Sequence, residues 1–276
     1  MAYCLLFPGQ GTQFPGMDAG LDLTGLDDRL KSLMHSGPEE ALNQTVNAQP
    51  AVVCASLALL NASDCKEPAL VLGHSLGEYT ALAAAGALSR EEALALVTQR
   101  GRYMQASEPG AMAAVLGLER EKIEEALKNV GDVWIANINA PGQIVVSGKV
   151  DTVAEAGTLL KAQGGKVIPL KVSVASHCPL MRQASEALAE YLAGVSLSRP
   201  VRCVVFNASA RPEGDPARIR KLLADQLVSP LRWVESIEYA LNQGVDHFIE
   251  IGPKSVLAAF VRRIAPQARV ETRTLR

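Results

Sequence analysis

Apolar positions in this chain follow different periods in different stretches. Tyr3 to Phe7 is an unbroken apolar run that stops at Pro8-Gly9, and Ala69 to Leu72 is a second that stops at Gly73. Short apolar runs bounded by turn residues predict strands buried on both faces. Between them, residues 18–48 are polar and turn-rich with short helical stretches, and Gln49 to Leu60 reads as a buried helix. Two more helices follow, Glu78 to Leu88 and Arg90 to Ala106, the second with Ser89 as its N-cap.

The pattern changes at residue 110. Ala111 to Leu118 reads as a strand, and Glu119 to Val130 as an amphipathic helix with Ile123, Leu127 and Val130 on one face. Strands are predicted over Val133 to Ile138, Gln143 to Ser147 and Lys166 to Val174, with a helix over Asp151 to Ala162. This β-α-β-β-α-β order is ferredoxin-like. Alternation of buried strands and helices then resumes. Helices are expected over Ser185 to Leu192, Pro216 to Gln226, Val234 to Gln243 and Ser255 to Ile264, with strands over Arg202 to Phe206 and His247 to Ile251. The fold class is therefore α/β. A large hydrolase-like domain with a parallel sheet (1–109 and 173–276) carries a small ferredoxin-like domain (110–172) inserted in it, a division that suits 276 residues.

Candidate chemistry sits at a strand-to-helix junction. Gly73-His74-Ser75-Leu76-Gly77 is a G-x-S-x-G pentapeptide between a predicted strand and a predicted helix, the context in which it marks a nucleophile elbow. A Cβ at either glycine would crowd the turn, and the helix start presents free N–H groups to whatever reacts at Ser75. A serine nucleophile needs a base. His35 lies in a polar stretch, His74 adjoins the elbow with its side chain directed elsewhere, and His247 opens a buried strand. His177, where a strand ends at the domain boundary, is the base of choice. The Leu76 N–H is the usual first oxyanion donor; the Gln10 N–H, in the glycine-rich loop after the first strand, is a candidate second, although that loop also reads as a plain tight turn. Arg100 falls on the apolar stripe of its helix with Ala93, Leu96, Val97 and Met104, whereas Gln99 and Arg102 do not. A buried guanidinium needs an anion or several carbonyls: a substrate carboxylate, a fixed Asp or Glu, or main-chain oxygens would serve.

Composition narrows the field. Apolar residues make up 48% of the chain and aromatics 4%, so a large core would be built mostly of Ala, Val and Leu. The net charge of −2 argues against nucleic acid as a partner. The charge is uneven, with 13 Lys/Arg against 8 Asp/Glu from Arg199 onward, and that third could receive an acidic partner or be ordinary solvated surface. Five cysteines without metal or redox spacing point to a reduced, cytoplasmic setting. The N-terminal run is expected to be a strand rather than a signal peptide, and no run approaches the length of a membrane span. No metal site and no tightly bound cofactor are expected.

Taken together, the motifs resemble the malonyl-CoA:acyl carrier protein transacylase family. The matching segments are Phe7 to Gln13, Gln49-Pro50-Ala51, Gly73 to Tyr79, Arg100-Gly101 with Met104-Gln105, Gly110 to Val115, Asn137 to Gly142, Val145 to Gly148, Ser176-His177-Cys178, Asp225-Gln226-Leu227 and Gly252-Pro253. The resemblance implies a ping-pong reaction. Ser75 would take malonyl from malonyl-CoA with His177 as base and then acid, the Gln10 and Leu76 N–H groups would hold the oxyanion, and Arg100 would hold the malonyl carboxylate. It implies that a main-chain carbonyl at Gln226 orients His177, and that Met104, Asn137, Asn139, Ser176 and His74 surround the substrate. The implied partners are a coenzyme A thioester and an acidic acyl carrier protein, with the enzyme a cytoplasmic monomer. Rival readings are a polyketide acyltransferase or a malonate decarboxylase subunit using the same chemistry, a serine hydrolase, and a non-catalytic docking module. A buried cation in the acyl pocket argues against the hydrolase.

Overall fold

The computed structural model describes residues 2–275. The chain begins with strand β1 (Cys4–Phe7), helices α1 (Asp28–Ser36), α2 (Glu39–Leu42) and α3 (Thr45–Ala62), strand β2 (Leu70–Gly73), and helices α4 (Gly77–Ala84) and α5 (Arg90–Gln105). The central part comprises β3 (Ala111–Leu116), α6 (Arg120–Leu127), β4 (Val133–Ala140), β5 (Gln143–Gly148), α7 (Val150–Ala162) and β6 (Lys166–Pro169). The remainder contains α8 (Arg182–Ala193), β7 (Cys203–Phe206), β8 (Arg211–Pro212), α9 (Pro216–Asp225), α10 (Trp233–Asn242), β9 (His247–Gly252), α11 (Leu257–Ile264) and β10 (Arg269–Thr274).

Two sheets result. The first has the order β10-β9-β1-β2-β7-β8 and is parallel throughout except for the β7–β8 pair. Its strands are apolar on both faces because helices cover both. Leu5, Phe7 and Val71 join the core with α3, α5 and α8, while Cys4, Leu6, Leu70 and Leu72 face α10 and α11. The second sheet is antiparallel, in the order β4-β5-β3-β6, which is the ferredoxin-like arrangement. The segment before α10 is tied to the second sheet at the main chain: the Leu231 N–H donates to Ala136 O, and the Ile138 N–H to Leu231 O. Helix α3 is long and apolar enough to cross a membrane by length and composition, but 72% of that window is buried in the fold.

Several elements differ from expectation. Strand β6 ends at Pro169 rather than Val174; the following residues leave the sheet, and Gly110 and Met112 take up their main-chain groups through Gly110 N–Ser173 O and Leu170 N–Met112 O bonds. Helix α11 starts at Leu257, two residues late. The buried Glu250 carboxylate accepts the Val256, Leu257 and Ala258 N–H groups and so fixes where the helix can begin. The edge strands β8 and β10 carry no apolar run and were not expected.

Candidate active site

Strands β1 and β2 run side by side, with Phe7 paired to Gly73, so the loop after β1 lies beside the turn after β2. That turn is tight. A Cβ on Gly73 would lie 1.9 Å from the Gly77 carbonyl carbon, and one on Gly77 would lie 2.0 Å from the Phe7 carbonyl oxygen. Only glycine fits at either end, which is why the pentapeptide bends at this point. Ser75, between them, has φ 53°, a conformation non-glycine residues adopt only when their surroundings impose it. Here the Ser75 N–H donates to Asn207 Oδ1 (2.7 Å) and the Ser75 carbonyl accepts from Gln226 Nε2 (3.1 Å).

The Ser75 hydroxyl meets His177 Nε2 at 2.9 Å, 102 residues away in sequence. His177 also has positive φ, 63°, and its Nδ1 lies 2.8 Å from the main-chain oxygen of Gln226. A carbonyl only accepts, so Nδ1 carries the proton and Nε2 is left as the acceptor facing Ser75. Burial pushes His177 down to about 3, with smaller contributions from Arg100 and His74. The imidazole is therefore neutral at ordinary pH.

Arg100 is 1% exposed. Its Nη2 donates to Gln226 Oε1 (3.0 Å) and to the Ser75 hydroxyl oxygen (3.3 Å), and its guanidinium lies 5.5 Å from the Tyr79 ring centre. Among the described residues no carboxylate comes within ion-pairing distance of it, and its Nε has no hydrogen-bond partner. Burial lowers its pKa, while Tyr79 and the more remote Glu78 pull the other way. A guanidinium short of anionic partners, beside a cavity of about 130 Å³ that also contains Ser75 and His177, is arranged to receive a ligand carboxylate.

Gln10, His74, Met104, Asn137 and Ser176 line the same cavity. The His74 ring lies against Trp233 and Phe260 and bonds Asn139 Oδ1 at 2.8 Å. Asn139 is not among the residues lining this cavity and reaches it through the His74 ring that it holds. Strand β4 has irregular register on both sides of Ile138, and Asn139 ends up behind His74. Gln226 and Leu76 are fully buried; Leu76 offers the site its main-chain N–H, and Gln226 offers both its main-chain oxygen and its side-chain amide. Among the described residues no hydrogen bond uses the Leu76 or Gln10 N–H, so both donors are available to a ligand.

Two residues in the site were missed from sequence. Asn207 follows the last residue of β7 and, besides holding the Ser75 N–H, donates through Nδ2 to Gly73 O at 2.8 Å. A polar residue just past the carboxyl end of a buried strand was the available signal. Glu78, in the first turn of α4, is fully buried and accepts from Gln226 Nε2 (2.6 Å) and from the Asn207 N–H. Burial pushes its carboxyl up to about 8, against the pull of those two hydrogen bonds and of Arg100.

Fold and site together define a class, the α/β acyltransferases with a serine–histidine elbow. Comparison with known proteins agrees. The acyl transferase domain family matches residues 23–275. The malonyl CoA-acyl carrier protein transacylase of Escherichia coli (strain K12) is 39% identical, over 95% of this chain and 92% of its own. A solved structure of the malonyl CoA-acyl carrier protein transacylase from Coxiella burnetii superposes with a TM-score of 0.94 at 38% identity, covering 99% of this chain and 94% of that one. A second, of a type II PKS acyl-carrier protein in complex with its malonyl-transacylase, does so with a TM-score of 0.90 at 38% identity, covering 99% and 95%. The chain belongs to the malonyl CoA-acyl carrier protein transacylase family.

Proposed function

We propose that this protein transfers a malonyl group from malonyl-CoA to the pantetheine thiol of an acyl carrier protein, by way of a malonyl ester on Ser75. The observation that carries the reading is Arg100: a buried cation with no carboxylate partner among the described residues, in one cavity with a serine and a histidine in hydrogen-bond contact. A simple acyl group has no use for it. A dicarboxylic half-thioester does, because its free carboxylate supplies the missing anion.

The steps follow from the geometry. His177 Nε2 takes the Ser75 proton as the oxygen attacks the thioester carbonyl. The Leu76 and Gln10 N–H groups receive the developing oxyanion. The intermediate collapses, the carbon–sulfur bond breaks, and the proton on His177 passes to the departing coenzyme A sulfur. In the second half the carrier's thiol gives its proton to His177 and attacks the ester, and the proton returns to Ser75. A carbonyl in the place of a triad carboxylate suits this traffic: Gln226 O fixes the imidazole tautomer without adding negative charge that would hold a proton on the ring. The chemistry needs no cofactor beyond the thioester, and every group it uses lies on one chain. The carrier as acceptor is supported by the names of the relatives and by the solved complex of a related transacylase with its carrier.

Intact-mass analysis after mixing with malonyl-CoA tests this. A malonyl adduct mapping to Ser75 is expected, absent in Ser75→Ala and discharged faster by holo carrier protein than by water. An adduct elsewhere, or water outrunning the carrier, would overturn the proposal.

A further inference from the structure

Glu78 has no step in that chemistry, yet it is fully buried and bound to two residues that hold the elbow. Its two oxygens are divided: Oε1 accepts the Asn207 main-chain N–H and Oε2 accepts the Gln226 amide. Those partners grip Ser75 from opposite ends, Asn207 Oδ1 at its N–H and Gln226 Nε2 at its carbonyl. The four residues close a ring. Gln226 extends it further, because its main-chain oxygen holds His177 and its side-chain oxygen meets Arg100.

We propose that Glu78 is the positioning residue of this site, a buried acceptor that clamps Asn207 and Gln226 and thereby keeps nucleophile, base and guanidinium in mutual register. The inference rests on the reading of Ser75 as nucleophile. Three observations support it. Ser75 holds a backbone conformation that persists only when over-determined by its surroundings, and the ring is what surrounds it. Both bonds to Glu78 come from donors, so the position calls for a group that accepts at both ends. A carboxylate does that, whereas a side-chain amide accepts at one end only. Last, the Asn207 and Gln226 donors and the charge of Arg100 all favour the accepting carboxylate, opposing the burial that pushes this group up to about 8.

Glu78→Gln is therefore a sharp test, since it keeps size and shape but turns an NH₂ toward either Asn207 N–H or Gln226 Nε2. Folded fraction is measured by circular dichroism, Ser75 reactivity by the rate of labelling with a fluorophosphonate probe, and acylation by single-turnover malonylation. A group displaced by about 1 Å costs on the order of 100-fold in rate. We expect folded Glu78→Gln to label and malonylate roughly 100-fold more slowly, with KM for malonyl-CoA changed only a few-fold, and Glu78→Asp to recover part of the rate. Asn207→Ala should be similarly slow, and the double variant should be little worse than either single one, because one ring is broken twice. Folded Glu78→Gln that labels at the wild-type rate overturns the proposal, as do fully multiplicative losses in the double variant. Should Glu78→Gln fail to fold, Asn207→Ala decides in the same way: slow labelling supports the ring and wild-type labelling refutes it. Wild-type protein that labels at Ser75 but never malonylates would instead refute the proposed function, and labelling rates would still judge the clamp.

Discussion

If His177 is the base, its burial sets the acid limb of the pH profile. An ordinary histidine gains its proton near pH 6.5. Burial moves this one down to about 3, so the fraction able to act as base should be essentially complete from pH 5 upward. The rate of Ser75 malonylation, followed against pH, should show no inflection near 6.5, and its acid limb should lie well below that. A clear fall in rate centred on pH 6.5 would mean that the imidazole is solvated and the site more open than described. Legibility at this scale depended on where each residue's signal lay. Ser75 was marked by its flanking glycines and Arg100 by standing on an apolar stripe, both local features. Asn207 and Glu78 were not marked, because their roles consist of bonds to residues 129 to 148 positions away.

At the level of elements, the elbow depends on how closely β2, α4 and the end of β1 approach one another. The predicted cost of Gly77→Ala is high, because a methyl group 2.0 Å from the Phe7 carbonyl oxygen cannot be relieved by a side-chain rotation. A loss above about 3 kcal/mol in chemical denaturation is expected, at or beyond the upper end of ordinary overpacking. A loss below about 1 kcal/mol would show that β1 can retreat from the turn. The elements most legible in sequence were those with a strong period: the buried strands β1, β2, β7 and β9, and α5 with its Ser89 capping box. Strand β10 escaped notice because an edge strand has one sheet neighbour and partly exposed faces, so Arg269-Val270-Glu271-Thr272-Arg273-Thr274 carries no apolar run. The irregular segment after Pro169 read as strand because Leu170, Val172 and Val174 alternate with polar residues, although its main-chain partners are Met112 and Gly110.

Over the whole molecule, the second sheet closes the cavity over the first: Asn137 from β4 shares the wall with Ser75 from the elbow. The uneven charge seen in the sequence has a structural counterpart. From Arg199 onward many cations are already paired, as Arg218 with Glu213, Lys221 with Asp225, Arg232 with Glu235, and Arg269 and Arg273 with Glu271. Arg199, Arg211, Arg220, Lys254, Arg262 and Arg263 form no ion pair among the described residues, and they hold the local excess. An acidic carrier drawn by that excess should be captured more slowly as salt is added, since exposed charges are screened beyond about 8 Å at physiological ionic strength. Discharge of malonyl-Ser75 by holo carrier, measured from 50 to 500 mM salt, is expected to fall several-fold in kcat/KM. A flat response would place recognition in apolar contacts instead.

The central claim is that Arg100 reads the far carboxylate of the acyl group. The direct test compares single-turnover loading of malonyl-CoA and acetyl-CoA on wild-type protein and Arg100→Ala. Losing one partner of a desolvated charge pair costs roughly 2–5 kcal/mol, so malonyl loading should drop by at least about 30-fold while acetyl loading changes far less. Equal losses for both acyl donors would contradict the account, leaving Arg100 as a support for Gln226 and the elbow rather than the group that selects the substrate.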